Sequence, residues 1–126
     1  MNNQSILFNS IIIFALTLNV GFVYGDPDVL SLHHHYDYYA VVVMNILAMI
    51  MKFGDESAQG QMLLSTSIVA VIQLLIGTFV WSVAGESFNL TELEIIHIVI
   101  GMSIGALVAN LISVTVVISK TLKSNY

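Results

Sequence analysis

The chain has no cysteine, no arginine and one proline, and its 126 residues include only three basic side chains, Lys52, Lys120 and Lys123. Without cysteine there is no disulfide, no thiolate metal site and no thiol nucleophile. Three lysines cannot form the basic surface that nucleic acid needs, so nucleic acid is excluded as a partner. Charged residues make up 9% of the chain, against about a quarter in soluble domains. Apolar residues make up 57%, and mean hydropathy is +0.91. Such a composition takes the lipid bilayer as its solvent. At about 20 apolar residues per crossing, residues 1–126 have room for at most four or five spans with short loops, a single integral membrane domain.

Four apolar runs stand out, at about 6–24, 38–53, 62–84 and 95–119, and they predict an all-α bundle of four transmembrane helices. The first run is close to the length a helix rising 1.5 Å per residue needs to cross about 30 Å of hydrocarbon. Its rival reading is a cleaved signal peptide, with Val23, Tyr24 and Gly25 ahead of Asp26 as the cleavage site. The start MNNQS carries no basic residue, however, and Asn9, Ser10, Thr17 and Asn19 interrupt the core, which favours retention as a span. The stretch GDPDVLSLHHHYD holds the proline, three acids and three consecutive histidines and reads as an exposed loop.

Tyr36, Tyr38 and Tyr39 stand where an aromatic belt meets the headgroups, and Trp81 reads the same way near the end of the third run. The tyrosines and the snorkelling stem of Lys52 complete the depth of the short second run. Asn89 or Thr91 is placed to cap the fourth helix, with Glu92 and Glu94 in its first turn. KTLKSNY follows as a short frayed tail.

Four crossings put all three lysines on the side of the N-terminus, and the positive-inside rule makes that side cytoplasmic, with both termini there. Asp26, Asp28, Asp37, Glu86, Glu92 and Glu94 collect on the opposite side. FVYGD closes the first run and FVWSVAGE the third, and MNILAMIMK and ANLISVTVVISK each carry an asparagine and end in lysine. This faint repeat suggests two tandem helical hairpins.

Inside lipid a side-chain amide must find a partner, so Asn19, Asn45, Gln73 and Asn110 are expected to face protein or water. Stepped at about 100° per residue, Thr66, Ala70, Gln73 and Gly77 share one arc of the third helix, and Ser10, Thr17 and Gly21 share one arc of the first. On the fourth, Gly101, Gly105 and Ala109 form one small-residue stripe and Ser103, Ala106, Asn110 and Ser113 an adjacent one. Ile100, Ile104, Leu111 and 114–118 are left for lipid. Two small faces exceed what one neighbour requires, which points to a second copy or a larger membrane complex as partner. The bland reading of the polar set is helix packing; the alternative is a polar path for a cation or small solute through an oligomer. The absence of any acid, lysine or arginine at mid-membrane weakens charge-coupled transport.

His33, His34, His35 and Asp37 in the first loop, with Glu94 and His97 three apart at the mouth of the fourth helix, form a candidate metal or pH-sensing site on the outer side. Consecutive histidines point in different directions, and plain loop polarity accounts for them equally well. A haem held by His35 and His97 is disfavoured, because neither lies well inside a span. No nucleophile is paired with a base and no glycine-rich phosphate loop occurs. The expectation is therefore a non-enzyme without cofactor.

The runs ALTLNVGFVYGD (15–26), MKFGDES (51–57) and LLSTSIVAVIQLL (63–75) resemble those of a family of small bacterial multi-pass inner-membrane proteins with no assigned function. The resemblance implies a bacterial cytoplasmic membrane and a retained first span. It carries no functional residues with it.

Overall fold

The computed structural model describes residues 3–24, 35–84 and 87–124. These form four helices and, among the described residues, no strand: α1 (Asn3–Val23), α2 (His35–Lys52), α3 (Ala58–Phe79) and α4 (Glu92–Ser124). A π-helical turn, Val80–Ala84, continues α3. Among the described residues three segments are long and apolar enough to cross a membrane: Asn3–Val23, Ala58–Val83 and Glu92–Lys123. α2 is the exception to the expected four. Its 18 residues include His35, Asp37, three tyrosines and Lys52, leaving a short apolar middle. α4 exceeds expectation: the helix runs on to Ser124, into the stretch read as a frayed tail, and its 33 residues span about 50 Å, longer than a hydrocarbon core is thick.

Local chemistry sets the helix ends. Gly54 takes a φ of 87°, a left-handed conformation that suits glycine and turns the chain out of α2. Ser57 then caps α3, its hydroxyl accepting from the Gly60 amide at 3.0 Å. Thr91 and Glu94 form a reciprocal capping box at the start of α4, each backbone N–H donating to the other's side chain at 3.1 Å. Of the two expected caps Thr91 is the one used. Asn89 sits at a φ of 56° in the turn before it, a conformation asparagine tolerates better than most residues.

The helices pack in a ring, each against its neighbours in sequence, with α4 closing onto α1. All neighbours run antiparallel. Phe8 meets Lys52 while Phe22 meets Tyr38; Tyr38 reaches Leu74; Thr66 meets Ser113; Asn19 meets Ser103. One end of the bundle therefore carries Lys52, Lys120 and Lys123, and the other carries Asp37, Glu92 and Glu94; Asp26, Asp28 and Glu86 lie outside the described residues. Two apolar clusters fill the interior. The larger, towards the acidic end, joins Phe22, Tyr38, Val41, Leu74, Ile96 and Val99; the smaller, towards the lysine end, joins Phe8, Ile12, Ala48 and Leu63. The repeated FV motifs are not equivalent, since Phe22 is buried and Phe79 exposed.

Several faces differ from expectation, those of α1 because of its hydroxyls. Ser10 and Thr17 point outwards, and the buried stripe of α1 is Phe8, Ile12, Ala15, Asn19 and Phe22. Each outward hydroxyl donates to the carbonyl four residues back, Ser10 to Ile6 at 2.8 Å and Thr17 to Ile13 at 2.9 Å. Ser65, Thr115 and Thr121 do the same. A hydroxyl satisfied by its own helix has no need of the interior. Ile100, expected against lipid, is buried beside Val99 and Ile96, and Val114, Val116 and Val117 are half-buried against the smaller cluster.

Candidate functional site

The amides occupy the interior in a way the hydroxyls need not. Asn19, Asn45 and Asn110 are buried and Gln73 is half-buried. Asn45 donates to the Val41 carbonyl at 2.8 Å. Asn19 accepts from the Ser103 hydroxyl, tying α1 to α4. Thr66 donates to the Leu63 carbonyl at 3.0 Å, so in its 2.5 Å contact with Ser113 the serine is the donor, and α3 is tied to α4. Asn45, Thr66, Ser67, Asn110 and Ser113 thus form a polar seam between the two apolar clusters. Three buried atoms, Asn19 Nδ2, Gln73 Oε1 and Asn110 Nδ2, have no partner among the described residues. Each such atom costs about 1–3 kcal/mol. The seam holds no group that titrates near neutrality, so it has no proton to exchange; its Thr66–Ser113 bond, with Asn19–Ser103 nearer the acidic end, sets the depth at which α4 meets α3 and α1.

The expected small-residue stripe on α4 divides. Ala109 is buried, and Gly105 receives the Gln73 amide, whose atoms lie 2.6–2.8 Å from where a β-carbon would stand. Gly101 is exposed, with nothing within 4 Å of that position. Gly21 on α1 is exposed and bare in the same way, so neither glycine packs a helix within the chain. Ala70 and Gly77 on α3 are buried, Gly77 because the Tyr38 hydroxyl fills the space its β-carbon would take.

Tyr38 is the residue whose role the sequence hid. Expected at the headgroups, it is fully buried and donates to the Leu74 carbonyl at 2.5 Å, across 36 residues of chain. Thr78 donates to the same carbonyl at 2.9 Å. Two side-chain donors on one carbonyl crowd the helix ladder just before the π-helical turn, the kind of insertion that widens a helix. That turn swings Trp81 inwards, where it packs on Phe22 at 5.9 Å, Tyr38 at 5.6 Å and His35 at 3.8 Å between ring centroids. Trp81 is accordingly half-buried in an aromatic cap. Tyr38 lies on one α2 stripe with Val41, Val42, Asn45 and Ala48, a spacing that would have turned it inwards had Asn45 been taken as the reference.

The candidate metal residues do not converge. His33 and His34 lie outside the described residues, and no group of three or more potential ligands occurs among the described ones. His35 stacks on Trp81, Glu94 is engaged in its capping box, and Asp37 and His97 are exposed.

The lysine end is built differently. Lys52 pairs with Asp55 at 3.7 Å and lies over the Phe8 ring at 4.1 Å. Asp55 also accepts from the Ser57 hydroxyl at 2.7 Å and the Ser57 amide at 3.1 Å. The Ser57 hydrogen bonds, with help from Lys52 and Lys120, hold its carboxyl below the usual aspartate value. A cavity of about 370 Å³ opens among the four helix ends here, with Lys52, Asp55 and Lys120 on its wall.

A family model, described as a family of unknown function (DUF6394), matches residues 32–121, which takes in α2, α3 and most of α4. The chain belongs to this family. Neither a curated protein nor a solved structure matches it. The matched DUF6394 segment includes Tyr38, Trp81, the seam residues of α2 to α4 and both cavity lysines, while α1 lies outside it.

Proposed function

We propose that the chain is a non-catalytic subunit of a bacterial inner-membrane assembly, working through its outer surface by contact with copies of itself or with a larger complex. In this reading α2 crosses the bilayer with the three longer helices, and the lysine end faces the cytoplasm with both termini. The observation that carries the proposal is the pair of bare glycines. From the Asn19–Ser103 contact, two residues onward along α1 and two back along antiparallel α4 bring Gly21 and Gly101 to the same depth. Both are exposed there, and small residues at such a place let a partner helix come close. The interior at that end is occupied by Phe22, Tyr38, Leu74, Ile96 and Val99, so a single bundle offers little room for a solute path.

The absence of cysteine makes the test direct. A single Ile104→Cys variant, exposed on α4 near Gly101, is expected to give a disulfide-linked dimer or a linked partner on oxidation in native membranes. Adding Gly101→Leu, where a side chain meets nothing of its own fold, should reduce that product several-fold without unfolding the bundle. Recovery of monomer alone from gently solubilised membranes would overturn the proposal, as would robust cation or solute uptake into proteoliposomes containing only this protein.

A further inference from the structure

The cavity at the lysine end shares wall residues with two apolar grooves on the outside of the bundle. One groove, of about 510 Å³, runs between α3 and α4 past Thr115 and Val116, with Lys120 and Lys123 at its rim. The other, of about 350 Å³, runs between α1 and α4 past Ile6, Ile13, Val117 and Ile118. Lys120 belongs to the wall of both the cavity and the first groove; Asn9 and Thr121 belong to both the cavity and the second. A polar chamber is thus flanked, on either side of α4, by two apolar grooves that share its wall residues.

Charge identifies what fits. The chain has a net charge of −5, yet every basic residue it has lines this chamber or its adjoining groove. Within the chamber two lysines face one carboxylate. That carboxylate, Asp55, is already engaged by Ser57 and Lys52. Lys120 makes no hydrogen bond or ion pair among the described residues and feels Asp55 only at longer range. We propose that this end holds an anionic membrane phospholipid, its phosphate on Lys120 with Lys52 behind, and its two acyl chains in the grooves flanking α4. Basic pockets between helix ends are a recognised way of holding anionic headgroups. The inference rests on the bundle lying in a membrane but not on its association with a partner.

The test uses the full chain, purified in a neutral detergent and offered phosphatidylglycerol or phosphatidylcholine of matched acyl chains, with retained lipid counted by native mass spectrometry. Phosphatidylglycerol should be retained in preference. Lys120→Gln should lower its retention about five-fold, the contribution of one basic side chain at an anionic surface, and Lys120→Arg should keep it. The double variant Lys120→Gln/Glu56→Gln restores the net charge of this end with a side chain outside the chamber, and retention should stay low. Equal retention of both lipids, recovery of retention in the double variant, or displacement of the lipid by millimolar inorganic phosphate would each overturn the proposal. Recovery of every variant in the membrane fraction keeps its failure distinct from failure of the membrane reading.

Discussion

The two ends of the bundle solve opposite problems with the same helices. At the acidic end an aromatic cap of Phe22, Tyr38, Trp81 and His35 closes the interior, and α3 departs from α-helical geometry to bring Trp81 into it. At the lysine end the helix termini stand apart around a cavity, and Lys52 spans it from Phe8 to Asp55. Packing matters most where the core is full, and charge matters most where it is open. The difference teaches that close aromatic packing and open, charged space are separated along the bundle axis, so substitutions at the two ends should have different signatures.

The largest effect should come from the closed end. Tyr38→Ala empties a fully buried site and removes the bond to Leu74, and should cost about 3 kcal/mol in reversible unfolding from bicelles. Phe8→Ala at the open end should cost at least about 1 kcal/mol less, because the neighbouring cavity lets the site relax; equal costs would dissolve the contrast. Gly77→Ala should also destabilise, since its β-carbon displaces the Tyr38 hydroxyl. Combined with Tyr38→Phe it should cost less than the two single changes added together. Strict additivity would mean that the hydroxyl is not what Gly77 accommodates.

A smaller effect is expected from the buried amides. Asn19→Leu takes away the acceptor of the buried Ser103 hydroxyl and should cost about 1 kcal/mol. Asn110→Leu, like Asn19→Leu, removes an amide nitrogen with no partner among the described residues, but it strands no buried hydroxyl and should be nearer neutral. The reverse order in the same unfolding assay would show that Asn110, not Asn19, ties the helices together.

The smallest effect is the pH dependence of the lysine end. Asp55 titrates below its unfolded value, so its contribution is fully present above about pH 4, the ordinary aspartate value, and is lost as pH falls through the lower folded value. Stability measured across that acid range should therefore decline, and Asp55→Asn should flatten the decline without altering the acidic end. An unchanged slope in Asp55→Asn would assign the acid sensitivity to another carboxylate.

Much of this architecture was legible in the residues. The four apolar runs mark the four helices to within a few positions at most ends, because uninterrupted aliphatic sequence leaves the backbone no better way to satisfy itself in lipid. The amides Asn19, Asn45 and Asn110 mark buried faces because their polar atoms exceed what one helix turn can absorb. Ser10 and Thr17 mislead for the converse reason: a hydroxyl reaches its own i−4 carbonyl, so its position says little about facing. Tyr38 misleads because a tyrosine near the end of a span suits the headgroups equally well; its spacing from Asn45 is the signal, and its partner, the Leu74 carbonyl, is a backbone group with no signature in sequence. The cavity was invisible too. Lys52 and Lys120 lie 68 positions apart in the chain, and only the ring closure of α1 against α4 brings their helix ends to one place.

The hydroxyls folded back onto their own helices have one more consequence. Ser10, Thr17, Ser65 and Thr115 are exposed, yet each directs its hydrogen into the helix that carries it. A neighbour approaching across the lipid from those sides meets relief rather than polarity: ridges of isoleucine and valine, and hollows at Gly21 and Gly101. Contact with such a surface is selective by volume. A single added methyl group in a hollow should change what binds there more than the loss of an exposed hydroxyl.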